Sequence, residues 1–429
     1  MQLEQLTRPL MTKLRLAFTI PWVVHLINGV ALLATLACIA AVYTTIRPNM
    51  DDFKQYWQAA VNIRETGDPY ATTPDMRDPA IQQARENNQF LWVAYPNPPL
   101  LAYLVQPLAQ FPHPLAQRLW FGVNCVALAG LIALSIYASG SQLARRFWGV
   151  VAFGACAFPP TMMALFLGQI AILLSLLVVA SLVLAQRFRG LAGVLLALAS
   201  FIKLYPGLIG VYYLVFRPRR AAWWSIASVA GIAGLTLLWH GITPYLTYVT
   251  KVVLGNYYPY EAEFNISLVG FIRRLLTDNL YAIAIADVPQ LATALIVIGS
   301  LAIVALCFWC SSANATPLSR ILQWNAWLCA MLLLSPVNGY YNLVLLVPAV
   351  LAMVRYIEVT AAAPVRIALM LATLLCLMTP GWYTPLGDSS INLLIGWGQL
   401  GLSLSFYGLV AYFGLLVYLA RKSRLLHET

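Results

Sequence analysis

Gly190 through Phe216 reads GLAGVLLALASFIKLYPGLIGVYYLVF, an apolar block with Lys203-Leu204-Tyr205-Pro206 near its middle. Arg187 and Arg189 flank its start, and Arg217, Arg219 and Arg220 follow its end. One continuous helix would put these two basic clusters on opposite sides of an apolar layer. Pro206 lacks a backbone N–H and disfavours helical geometry at Tyr205. Two half-length helices meeting at Tyr205-Pro206 keep both clusters on one side. Within hydrocarbon, broken helices are tolerated where they line a cavity. The block therefore predicts a polytopic membrane protein with a polar cavity, and it places Lys203 in that cavity.

Composition agrees. The 429 residues are 61% hydrophobic and only 10% charged, against roughly 25% charged in soluble domains. Apolar runs recur along the chain and predict an all-α transmembrane domain of about eleven or twelve helices, some broken or re-entrant. The first run, Phe18 to Val42, is too long for the apolar core of a signal peptide and is read as a retained span. The formal charge of +11 is unevenly placed: sixteen of the 26 Lys and Arg, but three of the fifteen Asp and Glu, fall on the side of the arginine clusters. That bias makes this side cytoplasmic, with both termini, in a bacterial inner membrane, and it removes any nucleic-acid reading of the charge. All seven cysteines lie in apolar runs, so no disulfide is expected, and Cys307-Phe308-Trp309-Cys310 is read as packing.

Three intervals break the apolar pattern within this single domain: an outer loop with an interfacial helix over 46–98, the half-helix pair over 190–216, and a second outer loop over 241–287. The first carries Asp51 and Asp52 just beyond the first span, then Tyr56, Trp57 and the turn Gly67-Asp68-Pro69. A carboxylate there can take the proton of a hydroxyl that attacks an activated carbon. With phosphate as leaving group no general acid is needed, so one carboxylate suffices. The plainer reading of Asp51 is an N-cap. Lys203 is expensive in an apolar block and suits a substrate phosphate; the plainer reading is a lysine snorkelling to the interface. Arg273 and Arg274 offer phosphate forks or decorate a loop.

Several chemistries have no motif. There is no G-x-x-x-x-G-K-[ST] or G-x-G-x-x-G stretch, and the four histidines form no H-E-x-x-H pattern, which argues against nucleotide-driven pumping, a dinucleotide fold and a zinc centre. No cofactor or metal is predicted; a cation held by Asp51, Asp52 and Glu261 or Glu263 has no motif behind it. His25 with Asn28 is read as helix–helix hydrogen bonding.

An ordered set of short stretches resembles a known family. Asp52-Phe53-Lys54-Gln55-Tyr56, Gly67-Asp68-Pro69-Tyr70, Tyr95-Pro96-Asn97-Pro98-Pro99 and Leu167-Gly168-Gln169 come first. Ile202-Lys203-Leu204-Tyr205-Pro206, Asn265-Ile266-Ser267-Leu268-Val269-Gly270 and Leu334-Ser335-Pro336 follow. Together they resemble the polyprenol-phosphate-sugar glycosyltransferases of the mannosyltransferase-like family 87, in the C-type fold class. The resemblance implies a polyprenyl-phosphate-linked donor, commonly of mannose, and inverting transfer to a lipid or glycan hydroxyl on the extracytoplasmic face. It implies Asp52 as base with Asp51 secondary, and Lys203 with Tyr205 toward the donor phosphate, which Arg273 and Arg274 would share. Tyr56, Gln169, Glu261, Asn265, Asn338, Tyr340 and Tyr341 are the expected sugar or acceptor contacts. Relatives tend to carry a histidine after Ser335-Pro336, where this chain has Asn338-Gly339-Tyr340-Tyr341. The rival reading is a secondary transporter of an anionic or lipid-linked substrate, which broken helices and a buried lysine also suit.

Overall fold

The computed structural model describes residues 20–46, 50–75, 78–79, 81, 83, 94–216, 218–254, 264–279, 283–377 and 396–425. The first part of the chain forms helices α1 (Pro21–Ile46), α2 (Asp51–Thr66), α3 (Pro99–Val105), α4 (His113–Ser139), α5 (Gln142–Arg146), α6 (Trp148–Cys156), α7 (Pro159–Leu167) and α8 (Ala171–Leu184). Next come α9 (Arg189–Ile202), α10 (Leu208–Phe216), α11 (Arg219–His240), α12 (Thr243–Thr247), α13 (Leu268–Leu276), α14 (Pro289–Cys310) and α15 (Pro317–Leu334). The last helices are α16 (Val347–Thr360), α17 (Ala363–Leu377), α18 (Gly398–Leu402) and α19 (Leu404–Leu425). Among the described residues the one strand-like contact is an isolated antiparallel bridge between Asn265 and Gly339.

The protein is an all-α polytopic membrane protein. Six described helices are long and apolar enough to cross a bilayer: α1, α4, α11, α14, α19 and the stretch Tyr340–Thr360 that ends in α16. The bent pair α6 and α7 brings the number to seven if it crosses as one span, and four apolar helices are shorter. The eleven or twelve spans expected thus include fewer full-length helices. Pro159 and Pro160 explain one difference: with no N–H to continue the ladder, the apolar run that holds them bends by 60° between α6 and α7. Another break separates α9 from α10. Lys203 leaves helical geometry there (φ −141°, ψ 139°), and Tyr205–Gly207 forms a single 3-10 turn.

Burial sorts the helices by layer. The inner helix α15 buries an unbroken run from Asn325 to Leu333, while α11 and α14 present Leu238, Trp239, Ile298 and Leu301 outward, as lipid-facing helices do. Hydrogen bonds pair helices near their basic ends. Ser141 Oγ donates to Glu358 Oε1 at 2.6 Å, Ser319 Oγ to the Ala420 carbonyl at 3.2 Å, and Asn28 Nδ2 to the Arg146 carbonyl at 2.9 Å. The Asn28 side chain also accepts from Gly149 N–H at 3.0 Å, clamping α1 to the α5–α6 junction. His25, expected to share that role, is exposed.

Helix α2 lies over α3 and the start of α4. Asp51 and Asp52 occupy its first turn, where the helix dipole favours anions, with Met50 and not Asp51 in the cap position. Gly67 in the left-handed region (φ +78°) stops the helix. Tyr95 explains the proline-rich stretch that follows: its hydroxyl donates to the Pro98 carbonyl at 2.8 Å and accepts from Ala102 N–H at 2.9 Å. That phenol bridges the Pro98 carbonyl and the Ala102 N–H across the first turn of α3, so Tyr95-Pro96-Asn97-Pro98-Pro99 serves as a clasp.

Candidate active site

Asp52 is half-buried, whereas Asp51 is exposed. Gln169 Nε2 donates to Asp52 Oδ2 at 2.5 Å, and Gln55 Nε2 lies 3.5 Å from Oδ1. Burial pushes the carboxyl up to about 6, against the opposing pull of the Gln169 hydrogen bond and the Lys203 charge. The Tyr56 hydroxyl donates to Gln169 Oε1 at 3.0 Å. Burial, then the Asp52 charge, hold that phenol well above its usual range, so it stays a neutral donor.

Gln169 reaches Asp52 because a tight turn follows α7. Gly168 adopts φ +66°, and a Cβ there would fall 2.7 Å from the Phe53 Cβ, so only glycine lets the turn approach α2 this closely. The Trp120 indole N–H donates to the Gly168 carbonyl at 2.7 Å, and the ring stacks on Phe53 at 5.4 Å and meets Tyr56 edge-on at 6.2 Å. Trp120 is a supporting residue that the sequence analysis missed; its one trace in sequence is an indole inside a membrane span, where a buried N–H needs a partner.

Lys203 stands at the helix break with Nζ 5.8 Å from the centroid of the Tyr341 ring, a cation–π distance. Tyr205 OH donates to Asn342 Oδ1 at 3.4 Å, and Asn342 Nδ2 to Asn338 Oδ1 at 2.9 Å. Asn338 is fully buried, and its Nδ2 has no hydrogen-bond partner among the described residues. A buried amide N–H₂ of this kind marks a place where a water or a ligand acceptor belongs.

Asn265 and Arg274, also expected at the site, have partners within the protein. Asn265, expected to touch sugar, stitches two loops together: its Oδ1 accepts from Asn338 N at 2.8 Å and Ser267 N at 3.2 Å, and its Nδ2 donates to the Pro336 carbonyl at 2.9 Å. Arg274, expected near phosphate, is buried and donates to the Asn265 carbonyl at 2.8 Å and to Ser403 Oγ at 3.4 Å, so it braces the same junction. Arg273 is half-buried on the same helix, and Tyr340 lies buried at the 3-10 turn that opens the Tyr340–Thr360 span. Glu261 and Glu263 lie outside the described residues. Among the described residues no three His, Cys, Asp or Glu side chains converge as metal ligands.

A bundle with one half-buried carboxylate facing a lysine at a broken helix defines an integral-membrane protein with a polar site at one end of its spans. The chain belongs to glycosyltransferase family 87, whose model matches residues 95–336, more than half its length. It is also 29% identical over 255 residues to a protein of Mycobacterium tuberculosis (strain CDC 1551 / Oshkosh). That relative is named polyprenol-phosphate-mannose-dependent alpha-(1-2)-phosphatidylinositol pentamannoside mannosyltransferase. The similarity covers 58% of this chain and 56% of the relative, so the chain matches a little over half the length of that curated protein. Gln169, Lys203 and Asn265 fall inside the family match; Asp52 and Tyr56 precede it, and Asn338 to Tyr341 follow it.

Proposed function

We propose that this protein transfers a sugar, mannose by the analogy with its relative, from a polyprenyl-phosphate donor to a hydroxyl of a lipid-linked glycan on the extracytoplasmic face. Asp52 takes the hydroxyl proton, the freed oxygen attacks the anomeric carbon, and the phosphate leaves from the opposite face toward Lys203, with inversion. The observation that carries this reading is the pairing of one half-buried Asp52 with Lys203 at a helix break, close enough for each charge to act on the other. A base with its carboxyl near 6 is ionised at neutral pH yet basic enough to accept a proton in the transition state. A lipid-phosphate donor also suits the architecture: its isoprenoid tail stays in hydrocarbon while its headgroup enters the polar end of the bundle.

The test is transfer by purified protein in nanodiscs, with short-chain polyprenyl-phosphate sugars and phosphatidylinositol mannosides or other lipid-linked glycans, with and without EDTA. Transfer lost in Asp52→Asn and kept in Asp51→Asn is the expected result. Equal activity of the two variants removes Asp52 as base. Movement of intact donor across the bilayer without a new glycosidic bond favours a transporter.

A further inference from the structure

The two oxygens of the Asp52 carboxylate are in unequal positions. Oδ2 receives the Gln169 amide at 2.5 Å, while among the described residues Oδ1 has only Gln55 Nε2 at the margin of hydrogen bonding, 3.5 Å away. Which end of Gln169 faces the carboxylate follows from both of its partners. An ionised carboxylate only accepts, and the Tyr56 hydroxyl donates to Gln169 Oε1 at 3.0 Å. Gln169 must therefore turn its carbonyl toward Tyr56 and its N–H₂ toward Asp52; the flipped amide would set carbonyl against carboxylate. The backbone below it has no slack either, because Gly168 is packed on Phe53 and tied by Trp120. Gln169 itself is only 4% exposed, which leaves little of it for a substrate to touch.

We propose that Gln169, oriented by Tyr56, is a positioning residue that occupies Asp52 Oδ2 and presents Oδ1 as the oxygen that receives the acceptor's proton. The inference rests on Asp52 being the base. In the step, the acceptor O–H proton passes to Oδ1, the oxygen lone pair forms the bond to the anomeric carbon, and the carbon–oxygen bond to phosphate breaks with its electrons leaving on the phosphate. Gln169 exchanges no proton; it fixes one lone pair so that the other is aimed, and it favours the ionised carboxylate against burial. This reading replaces the expectation that Tyr56 and Gln169 bind sugar or acceptor.

The first measurement needs no substrate. In nanodiscs, infrared titration follows the carboxyl C=O band that is absent from Asp52→Asn. Gln169→Leu is expected to move its midpoint upward by about one pH unit and Tyr56→Phe by about half as much. The double variant should match Gln169→Leu alone, because Tyr56 acts only through Gln169. In the transfer assay kcat should fall about tenfold in Gln169→Leu with the KM of donor and acceptor within about threefold of wild type. An unmoved midpoint, or a raised KM with unchanged kcat, overturns the proposal and returns Gln169 to substrate binding. If Gln169→Leu does not fold, Tyr56→Phe, which removes one oxygen, decides: no midpoint shift overturns the proposal. Full activity of Asp52→Asn would instead sink the base assignment, whatever the midpoints show.

Discussion

The Trp120 indole N–H and the Gly168 carbonyl meet at 2.7 Å across 48 residues of chain, which ties the turn carrying Gln169 to a membrane-spanning helix. Trp120→Phe keeps an aromatic ring against Phe53 and leaves the carbonyl unpaired. The expected loss is about 1–3 kcal/mol of stability. It would be read as a lower thermal midpoint in detergent, with kcat falling further than the KM of the donor.

Acid should silence the protein well above the usual range for an aspartate. With the Asp52 carboxyl raised to about 6, the base is ionised above that pH and protonated below it. The acidic limb of kcat/KM should therefore lie near 6. A limb near 4 would mean that Asp52 is solvated in the working enzyme.

The same residue should weaken the fold at neutral pH. Its folded carboxyl is raised above the ordinary 3.8 to about 6, so the native state holds a proton that the unfolded chain has lost. Stability then falls as pH rises through that window and stays lower above it. Removing the charge by Asp52→Asn should stabilise the protein at pH 7 by on the order of 1–3 kcal/mol, seen as a higher thermal midpoint in a variant that no longer transfers sugar. A lower midpoint would mean that the carboxylate is structurally required.

Lys203→Met keeps length and apolar contact and removes the cation. If Lys203 faces the donor phosphate, kcat/KM for the donor should drop about 10- to 100-fold, the worth of a charged hydrogen bond. Lys203→Arg should keep part of the activity. A Met variant with normal donor kinetics would make Lys203 a snorkelling residue.

Gly149 tests the clamp on α1. A Cβ there would stand 2.5 Å from the Asn28 carbonyl oxygen, and backbone cannot yield as a side-chain tip can. Gly149→Ala should lose about 1–3 kcal/mol by overpacking, lowering the thermal midpoint while leaving the pH limb of activity in place.

The membrane class, the break at Lys203 and the carboxylates after the first span were legible because each rests on local chemistry: run length, a proline, and charge beside apolar sequence. The partners were less so. Gln169 and Asp52 are 117 residues apart and Asn265 and Asn338 are 73 apart, and no periodicity links such pairs. Asn265 and Arg274 looked like ligand contacts because buried amides and guanidinium groups suit both ligands and loop junctions. Only the structure shows that the Arg274 guanidinium holds the Asn265 carbonyl. The bend between α6 and α7 was missed because Pro159-Pro160 sits inside an apolar run whose hydropathy reads as one span.

The order in which the site's parts occur along the chain also bears on biogenesis. Asp52 comes with the first helix after the first span, Gln169 and Lys203 more than a hundred residues later, and Tyr341 later still. Because synthesis delivers these parts from the N-terminus onward, the carboxylate is inserted long before the amide that aims it and the aromatic ring that seats the lysine. A nascent chain that ends before Tyr341 therefore carries Asp52 without all of its partners, and the site is complete only once that turn has been made, ahead of α17 and α19.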